Sequence, residues 1–268
     1  MYKYGFIGAG NMTSALAAGL VKKIPATDVV ISNRTAVKAE TLSERLGCVA
    51  STNEEVAKSS SYVVLGVKPQ MLEEVLTPLQ GTLKENGNPV LVTMAAGTKM
   101  ATICQYAGGE YPVIRIMPNT PCSVGAGVIL VVKNDLVTDA QLAEFVADFA
   151  EAGVIRVLNE ESLIDAGSVI SGCGPAYIYM YIDAMAKAGV KLGLDYDTAA
   201  ALAKATARGA ALLSECSDAS LEDLRIAVCS PGGSTIEGVK SFWESDLDGV
   251  VDKALTCAFC RTKELAGE

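Results

Sequence analysis

The stretch Gly5-Phe6-Ile7-Gly8-Ala9-Gly10-Asn11-Met12-Thr13 decides the fold of this chain. It begins inside a short apolar run, Tyr4–Ile7, and ends inside a helical pattern, Met12–Lys22, so it predicts a strand–turn–helix unit. In such a unit Gly8 permits a tight turn and Gly10 lets the backbone approach a pyrophosphate, while the helix N-terminus supplies free N–H groups. An ordinary βα turn can carry the same pattern, but the place directly after a strand favours a dinucleotide site. The third glycine usual in such loops is replaced by threonine.

The first half of the chain alternates apolar runs with amphipathic ones. Strands are predicted at Tyr4–Ile7, Val29–Ser32, Tyr62–Gly66, Val90–Met94, Val113–Met117, Gly127–Val132 and Val154–Val157, and helices at Met12–Lys22, Val37–Leu46, Gln70–Leu83 and Thr138–Ala150. Apolar runs without period-2 alternation fit strands buried on both faces, and the alternation of elements fits βαβ units. We therefore expect a doubly wound α/β domain over residues 1–158.

The chain after about Asn159 has a different composition and periodicity. Alanine-rich segments with helical spacing lie at Tyr177–Leu192, Tyr196–Glu215, Leu221–Val228 and Val250–Leu265, and a further helical run lies at Ile236–Trp243. Because these segments follow one another without a strand pattern, they predict a separate all-helical domain over residues 159–268. Alanine-rich helices allow close approach of backbones, so we also expect this half to form an oligomer interface.

Composition excludes several classes of function. The chain has 268 residues, with 22 Lys plus Arg, 31 Asp plus Glu and no histidine, which gives a net charge of −9. Histidine-dependent catalytic triads and His-ligated zinc are therefore impossible. Phosphate-backbone binding needs clustered basic residues, so we expect no nucleic-acid partner. No secretory signal opens the sequence and its apolar stretches are short, which predicts a cytoplasmic protein that makes no membrane contact.

The eight cysteines are scattered along the chain. Cys257-x-x-Cys260 has the spacing of a redox pair but lies late in a predicted helix, not after a strand. Without a second such pair or a histidine, we interpret the cysteines as buried packing residues.

The end of the second predicted strand indicates which dinucleotide binds. It reads Ser32-Asn33-Arg34-Thr35, without the acidic residue that holds the ribose hydroxyls in NAD enzymes. Arg34 can pair with a 2′-phosphate, and its polar neighbours can hydrogen-bond the same group. Although Arg34 could also be a solvated surface residue, we predict NADPH as the preferred cofactor, with NADH possible.

Two further strand ends are candidates for the cofactor site. Gly66-Val67-Lys68-Pro69-Gln70 and Met94-Ala95-Ala96-Gly97-Thr98 would both lie at the carboxyl edge of the sheet, where open α/β sheets bind ligands. Their small residues would leave space for a nicotinamide ring. The alternative is that both are ordinary βα turns.

Six motifs follow one another along the chain: Gly8-Ala9-Gly10-Asn11-Met12, Val67-Lys68-Pro69-Gln70, Ala95-Ala96-Gly97, Arg115-Ile116-Met117-Pro118-Asn119-Thr120-Pro121, Gly172-Cys173-Gly174-Pro175-Ala176-Tyr177 and Ser230-Pro231-Gly232-Gly233-Ser234-Thr235. In this order they resemble the motifs of the pyrroline-5-carboxylate reductases. The resemblance implies a Rossmann-like NADPH domain followed by a helical domain that interleaves with a second subunit, giving homodimers that often assemble further into decamers. The reaction it implies is the reduction of (S)-1-pyrroline-5-carboxylate to L-proline, by hydride transfer to a cyclic iminium carbon.

The resemblance, together with the strand-end patterns, assigns a set of residues to the cofactor. These are Gly8, Ala9, Gly10, Asn11, Met12, Ser32, Asn33, Arg34, Asn53, Val67, Lys68, Pro69, Ala95, Ala96 and Gly97. Asn53 begins a predicted helix and could be only an N-cap.

The substrate is assigned to the Ser230–Thr235 segment. Two glycines before a helix expose backbone N–H groups that can hold a small carboxylate, although a capped helix after a proline turn has the same composition. The resemblance has the carboxylate held by Ser230 and by the N–H groups of Ser234 and Thr235, with Gly233 in the same substrate site, and it has the Thr235 hydroxyl face the ring nitrogen. It also places Glu161 near the substrate. Arg115, near two prolines, is predicted to organise its loop rather than to bind an anion.

Two other functions were weighed. A β-hydroxyacid dehydrogenase-like reductase would have a catalytic lysine in the interdomain helix, yet Gly172–Tyr177 contains none and the next is Lys187. A non-catalytic NADPH sensor would not need the Ser230–Thr235 segment.

Overall fold

The computed structural model describes residues 1–265. The strands are β1 Tyr2–Ile7, β2 Val29–Ser32, β3 Val49–Ser51, β4 Ser60–Leu65, β5 Val90–Thr93, β6 Val113–Pro118, β7 Gly127–Lys133 and β8 Gly153–Val157. The α-helices are α1 Asn11–Leu20, α2 Ala36–Leu46, α3 Asn53–Ser59, α4 Leu72–Leu76, α5 Gln80–Glu85, α6 Met100–Ala107, α7 Asp139–Asp148, α8 Leu163–Ser171, α9 Gly174–Lys191, α10 Tyr196–Glu215, α11 Leu221–Ala227, α12 Ser234–Glu244 and α13 Leu247–Leu265.

The described strands form one sheet in the order β3-β2-β1-β4-β5-β6-β7-β8. All neighbours are parallel except β6 and β7, which are joined by a turn too short for a parallel crossover. Ile7 pairs with Ser32 on one side and with Leu65 on the other, so β1, β2 and β4 end at one edge. The strand order reverses direction between β1 and β4, which is where doubly wound sheets bind their ligands.

Both faces of the sheet are covered by helices. Alternate strand residues such as Phe6 and Ile31 pack on the side of α1, α2 and α7, where Leu16 and Phe145 are fully buried. The intervening residues pack against α3 to α6 and α8. This two-sided burial confirms the predicted doubly wound α/β sheet and explains why its strands read as continuous apolar runs.

Two predictions about the individual elements are wrong. The segment Gln70–Leu83 is not one helix, because Pro78 lies in a 3₁₀ turn, Thr77–Leu79, that separates α4 from α5. Proline lacks an N–H and its ring clashes with the preceding helical turn. The edge strand β3 was not predicted, and neither were α6 and α8.

The chain divides into two compact units. One comprises Met1–Cys173 with the residues from Phe259 on, and the other is Gly174–Ala258. In the second unit α9 and α10 pack closely because small side chains meet: a Cβ at Gly189 would lie 2.9 Å from that of Ala199. Within residues 1–265 no helix is both long and apolar enough to cross a membrane.

Candidate functional site

The turn between β1 and α1 leaves space for a ligand at Gly10 but none at Gly8. Gly8 has a φ of +109°, and a Cβ there would lie 2.5 Å from the carbonyl oxygen of Gly66. A Cβ at Gly10 would meet no heavy atom of the described chain within 4 Å. Gly10 precedes α1, whose first turn carries no acidic side chain, so N–H groups at the positive end of the helix face this space. The turn is therefore shaped to receive an anion.

A groove of about 700 Å³ runs along the carboxyl edge from this turn. The predicted cofactor residues that line it are Gly8, Gly10, Asn33, Arg34, Asn53, Val67 and Lys68. A volume of this size is typical of cofactor sites. Lys38, on α2, lines the same groove but was not predicted, because on a helical pattern it reads as an ordinary solvated residue.

The end of β2 forms the polar rim of the groove. Asn33 Oδ1 accepts a hydrogen bond from the Ala9 N–H at 3.1 Å, which ties this rim to the glycine turn. Ser32 is buried and its hydroxyl donates to Asn53 Oδ1 at 2.7 Å, so Ser32 supports the rim without lining the groove. Arg34 is exposed at the groove and has no ion-pair partner within the described chain. Its guanidinium is available for a phosphate.

A second cavity of about 370 Å³ shares Gly10, Gly66, Val67 and Lys68 with the groove. Its other walls include Asn11, Met12, Pro69, Ala95 and Ala96, all predicted cofactor residues. Met94, Met117 and Pro118 complete a mostly apolar lining. The predicted cofactor residues thus line two connected spaces, apart from Ala9 and Ser32, which brace the rim, and Gly97, whose φ is +69° in the turn after Ala96.

In the second unit, the Ser230–Thr235 segment forms a tight turn between α11 and α12. Gly232 has a φ of +71°, and the Gly233 N–H donates to the Ser230 carbonyl at 3.0 Å. A Cβ at Gly233 would lie 2.5 Å from Ser230 Oγ, so only glycine lets this hydroxyl fold over the turn. Ser234 and Thr235 begin α12 and are exposed, as is Ser230. Two helix-start N–H groups and three hydroxyls therefore share one loop.

No metal centre is present in the part of the chain that the structure describes, since no three His, Cys, Asp or Glu side chains come together there. The interpretation of the cysteines as buried packing residues holds for Cys104 and Cys122. It is wrong for Cys216, Cys257 and Cys260, which are exposed in the single chain. Cys257 and Cys260 lie on α13, and Cys216 directly follows the last residue of α10.

Comparisons with known proteins cover both halves of the chain. A family model described as pyrroline-5-carboxylate reductase dimerisation matches residues 161–265, and one described as NADP oxidoreductase coenzyme F420-dependent matches residues 3–97. The pyrroline-5-carboxylate reductase of Pseudomonas aeruginosa is 36% identical over 98% of this chain and 97% of its own. This chain belongs to the pyrroline-5-carboxylate reductase family. The enzyme of that name from Pisum sativum is 34% identical over 99% of this chain and 96% of its own.

Solved structures of pyrroline-5-carboxylate reductases agree with this assignment. The protein from Coxiella burnetii has a TM-score of 0.93 at 31% identity and covers 98% of both chains. The Plasmodium falciparum protein, solved with NADP bound, has a TM-score of 0.86 at 29% identity and covers 99% of this chain and 98% of its own. A 3-hydroxyisobutyrate dehydrogenase from Mycobacterium tuberculosis has a TM-score of 0.52 at 15% identity, which shows a shared fold alone.

In this member of the pyrroline-5-carboxylate reductase family Glu161 is tied to the sheet. Its Oε1 accepts from Arg115 Nη1 at 3.1 Å and from the Met100 N–H at 2.8 Å. Arg115, only 2% exposed, also donates from Nη2 to Asp165 Oδ1 at 2.8 Å. Arg115 therefore pairs with two carboxylates from a later segment of the chain, and its predicted role in organising its own loop stays a prediction. Its partners, 46 and 50 residues away, could not be named from the sequence.

The helical half of this family member exposes large apolar side chains. Examples in the second unit are Met180 at 71%, Leu213 at 59% and Val250 at 61% exposed. The residues buried there are small alanines, so the unit lacks a large apolar core of its own. Together with the match to the dimerisation model, this surface shows that the helical half is a self-association region.

Proposed function

We propose that this protein reduces (S)-1-pyrroline-5-carboxylate to L-proline, with NADPH as the preferred reductant and NADH as a possible one. The observation that carries the proposal is the likeness to the pyrroline-5-carboxylate reductases over both halves of the chain, because a dinucleotide groove alone serves many dehydrogenases. When bound, NADPH supplies the hydride. The remaining tasks are to bind, to orient the ring and to stabilise the product amine, and they belong to the chain.

The residues of the groove fit NADPH. The space at Gly10 accommodates a pyrophosphate against the start of α1, and the close approach of Gly8 to Gly66 fixes the turn. Arg34 and Lys38 place two positive side chains on the groove at the end of β2, where an acidic residue would repel a 2′-phosphate. The small residues Ala95 and Ala96 leave the second cavity open for a flat ring.

The Ser230–Thr235 turn would hold the substrate. The free N–H groups at the start of α12 and the Ser230 hydroxyl suit a carboxylate. The Thr235 hydroxyl would face the ring nitrogen, and its oxygen would accept a hydrogen bond from the N–H of the protonated imine. A cyclic imine is basic enough to be protonated near neutral pH, so a hydroxyl suffices where other reductases use an imidazole, and the chain has no histidine. The role of Glu161 at the substrate stays a prediction.

The two proposed domains follow the change in sequence pattern after about Asn159. Residues 1–158 would form the cofactor domain, and residues 159–268 the domain for self-association and substrate binding. A homodimer is the simplest assembly that covers the apolar helices, and assembly of dimers into a decamer stays a prediction. The cytoplasmic location and the absence of nucleic-acid and membrane partners also stay predictions.

A turnover assay tests the proposal. Purified protein should oxidise NADPH only when pyrroline-5-carboxylate is added, and more slowly with NADH. Piperideine-carboxylate and a β-hydroxyacid serve as controls for ring size and for the dehydrogenase alternative. Cofactor binding without turnover of any imine would contradict the proposal and favour an NADPH sensor.

A further inference from the structure

A buried arginine lies beneath the loop that lines the second cavity. Arg115 pairs with Thr93 in the register of β5 and β6, and it is almost wholly buried. Its two terminal nitrogens bind Glu161 and Asp165. Burying a cation is costly unless it is paired, and the two carboxylates offset that cost.

Glu161 has a second task, because the oxygen that binds Arg115 also caps helix α6. It accepts the N–H of Met100, the first residue of α6, at 2.8 Å. N–H groups in the first turn of a helix have no acceptor within the helix itself. A carboxylate at that end is also favoured by the helix dipole. Glu161 thus joins the buried arginine to the start of α6.

The segment held in this way is the one predicted to receive the nicotinamide ring. Between β5 and α6, Met94, Ala95 and Ala96 line the second cavity. At its first end, Thr93 pairs with Arg115 in the sheet, and the Ala95 N–H donates to Thr93 Oγ1 at 3.3 Å. At its other end the Glu161 carboxylate binds Met100. The first end of the loop is therefore held by sheet pairing, and the other end by the Glu161 carboxylate, which the Arg115 side chain anchors.

We propose that Glu161, anchored by Arg115, is a positioning residue for the nicotinamide half of NADPH, acting through the loop between β5 and α6. This rests on the proposed function only for the identity of the cofactor. It assigns Glu161 to the cofactor side, whereas the resemblance placed it at the substrate. The two assignments differ in which ligand loses affinity when the carboxylate is removed.

Asp165 provides a matched control. Its Oδ1 binds the same guanidinium at 2.8 Å, and the side chain is more deeply buried than that of Glu161, at 9% against 25% exposed. No hydrogen bond in the described chain joins Asp165 to the loop or to the start of α6. Asp165→Asn therefore weakens the ion pair without uncapping the helix.

The test measures the Kd of NADPH and of adenosine 2′,5′-bisphosphate by titration, the KM of the imine at saturating NADPH, and the thermal midpoint. Glu161→Ala should raise the Kd of NADPH about tenfold, as expected for a lost charge-assisted contact. The Kd of the bisphosphate, which lacks the nicotinamide half, should stay within about twofold. Glu161→Gln keeps an acceptor for Met100 and should recover about half of the loss on a logarithmic scale. Asp165→Asn should lower the midpoint while leaving the Kd of NADPH within about twofold.

Three results would overturn the positioning role. They are an increase confined to the KM of the imine, an equal rise in the Kd of NADPH for Asp165→Asn, and an unchanged Kd in both Glu161 variants. If Glu161→Ala does not fold, the comparison of Glu161→Gln with Asp165→Asn gives the same decision. The titrations need no turnover, so a wild type that binds NADPH but does not reduce the imine contradicts the proposed function and leaves this test intact.

Discussion

Gly8 and Gly10 lie two residues apart in one turn, and the structure gives opposite consequences for adding a methyl group to each. At Gly8 the φ of +109° is a conformation that alanine adopts only with strain, and the new Cβ would lie 2.5 Å from the Gly66 carbonyl oxygen. Backbone strain of this kind costs about 1–3 kcal/mol, and overpacking against a rigid neighbour costs a similar amount. We expect Gly8→Ala to lose about 3 kcal/mol of stability, which corresponds to a drop of roughly 6–12 °C in the thermal midpoint.

At Gly10 the same methyl group meets open space. The φ of −80° suits alanine, and no heavy atom of residues 1–265 lies within 4 Å of the added Cβ. Gly10→Ala should therefore keep the midpoint of the wild type. The methyl group would occupy the space assigned to the pyrophosphate, so the Kd of NADPH should rise about tenfold or more, the equivalent of one charge-assisted hydrogen bond.

Thermal unfolding followed by circular dichroism and fluorescence titration with NADPH measure the two effects separately. If Gly10→Ala bound NADPH as tightly as the wild type, the pyrophosphate could not lie over this turn. A Gly8→Ala variant as stable as the wild type would show that the approach to Gly66 is not fixed. Either result would refute the corresponding step of the reasoning.

Three further predictions concern the cofactor phosphate, the ring nitrogen and acid stability. Arg34→Ala should raise the KM of NADPH about 10- to 100-fold and leave that of NADH nearly unchanged, since only NADPH offers a 2′-phosphate to a charge-assisted bond; equal losses for both would place Arg34 elsewhere. Thr235→Val should lower kcat/KM for the imine about tenfold while Thr235→Ser stays within about threefold, and unchanged kinetics in Thr235→Val would exclude the hydroxyl from the reaction. The hydrogen bond from Lys3 holds the pKa of Glu144 below its ordinary value, so the pair stabilises the fold above about pH 4.3 and that contribution is lost as the pH falls through the lowered pKa. Lys3→Met should accordingly show a smaller loss of stability between neutral and acid pH in urea titrations, and an identical pH dependence would contradict the pairing.

The sequence predicted those elements whose signal is local. The Tyr196–Glu215 helix has the predicted bounds, because an alanine-rich segment keeps helical spacing throughout, and the structure adds that the Asp195 side chain caps its start. The segment Gln70–Leu83 misled because Leu72, Leu76, Leu79 and Leu83 keep helical spacing and all are buried in one cluster. The spacing of apolar residues indicates which side chains face the core. Two short helices separated at Pro78 can present the same side chains to the core as one continuous helix does.

The glycine turn and the Ser230–Thr235 turn could be predicted because each is a run of neighbouring residues with one conformational requirement. The link from Arg115 through Glu161 to Met100 could not, since its members are 46 and 61 residues apart and meet only in the folded chain. The outward faces of the dimerisation helices were equally beyond prediction. A pattern of apolar residues is the same whether a helix packs on its own chain or on another.

A chain with a net charge of −9 can bind the anionic ligands proposed here, because the donors that would contact them lie in local turns. At 0.1 M salt exposed charges are screened beyond about 10 Å, so carboxylates elsewhere on the surface weigh little against donors in contact with a ligand. The Gly10 and Gly233 turns both present backbone N–H groups at helix starts, and those groups do not titrate. Because the chain has no imidazole to change its charge near neutral pH, the titration of the imine itself is left as the main source of pH dependence there. In the proposed reaction no imidazole can deliver the proton, so we expect the ring nitrogen to carry it before hydride transfer.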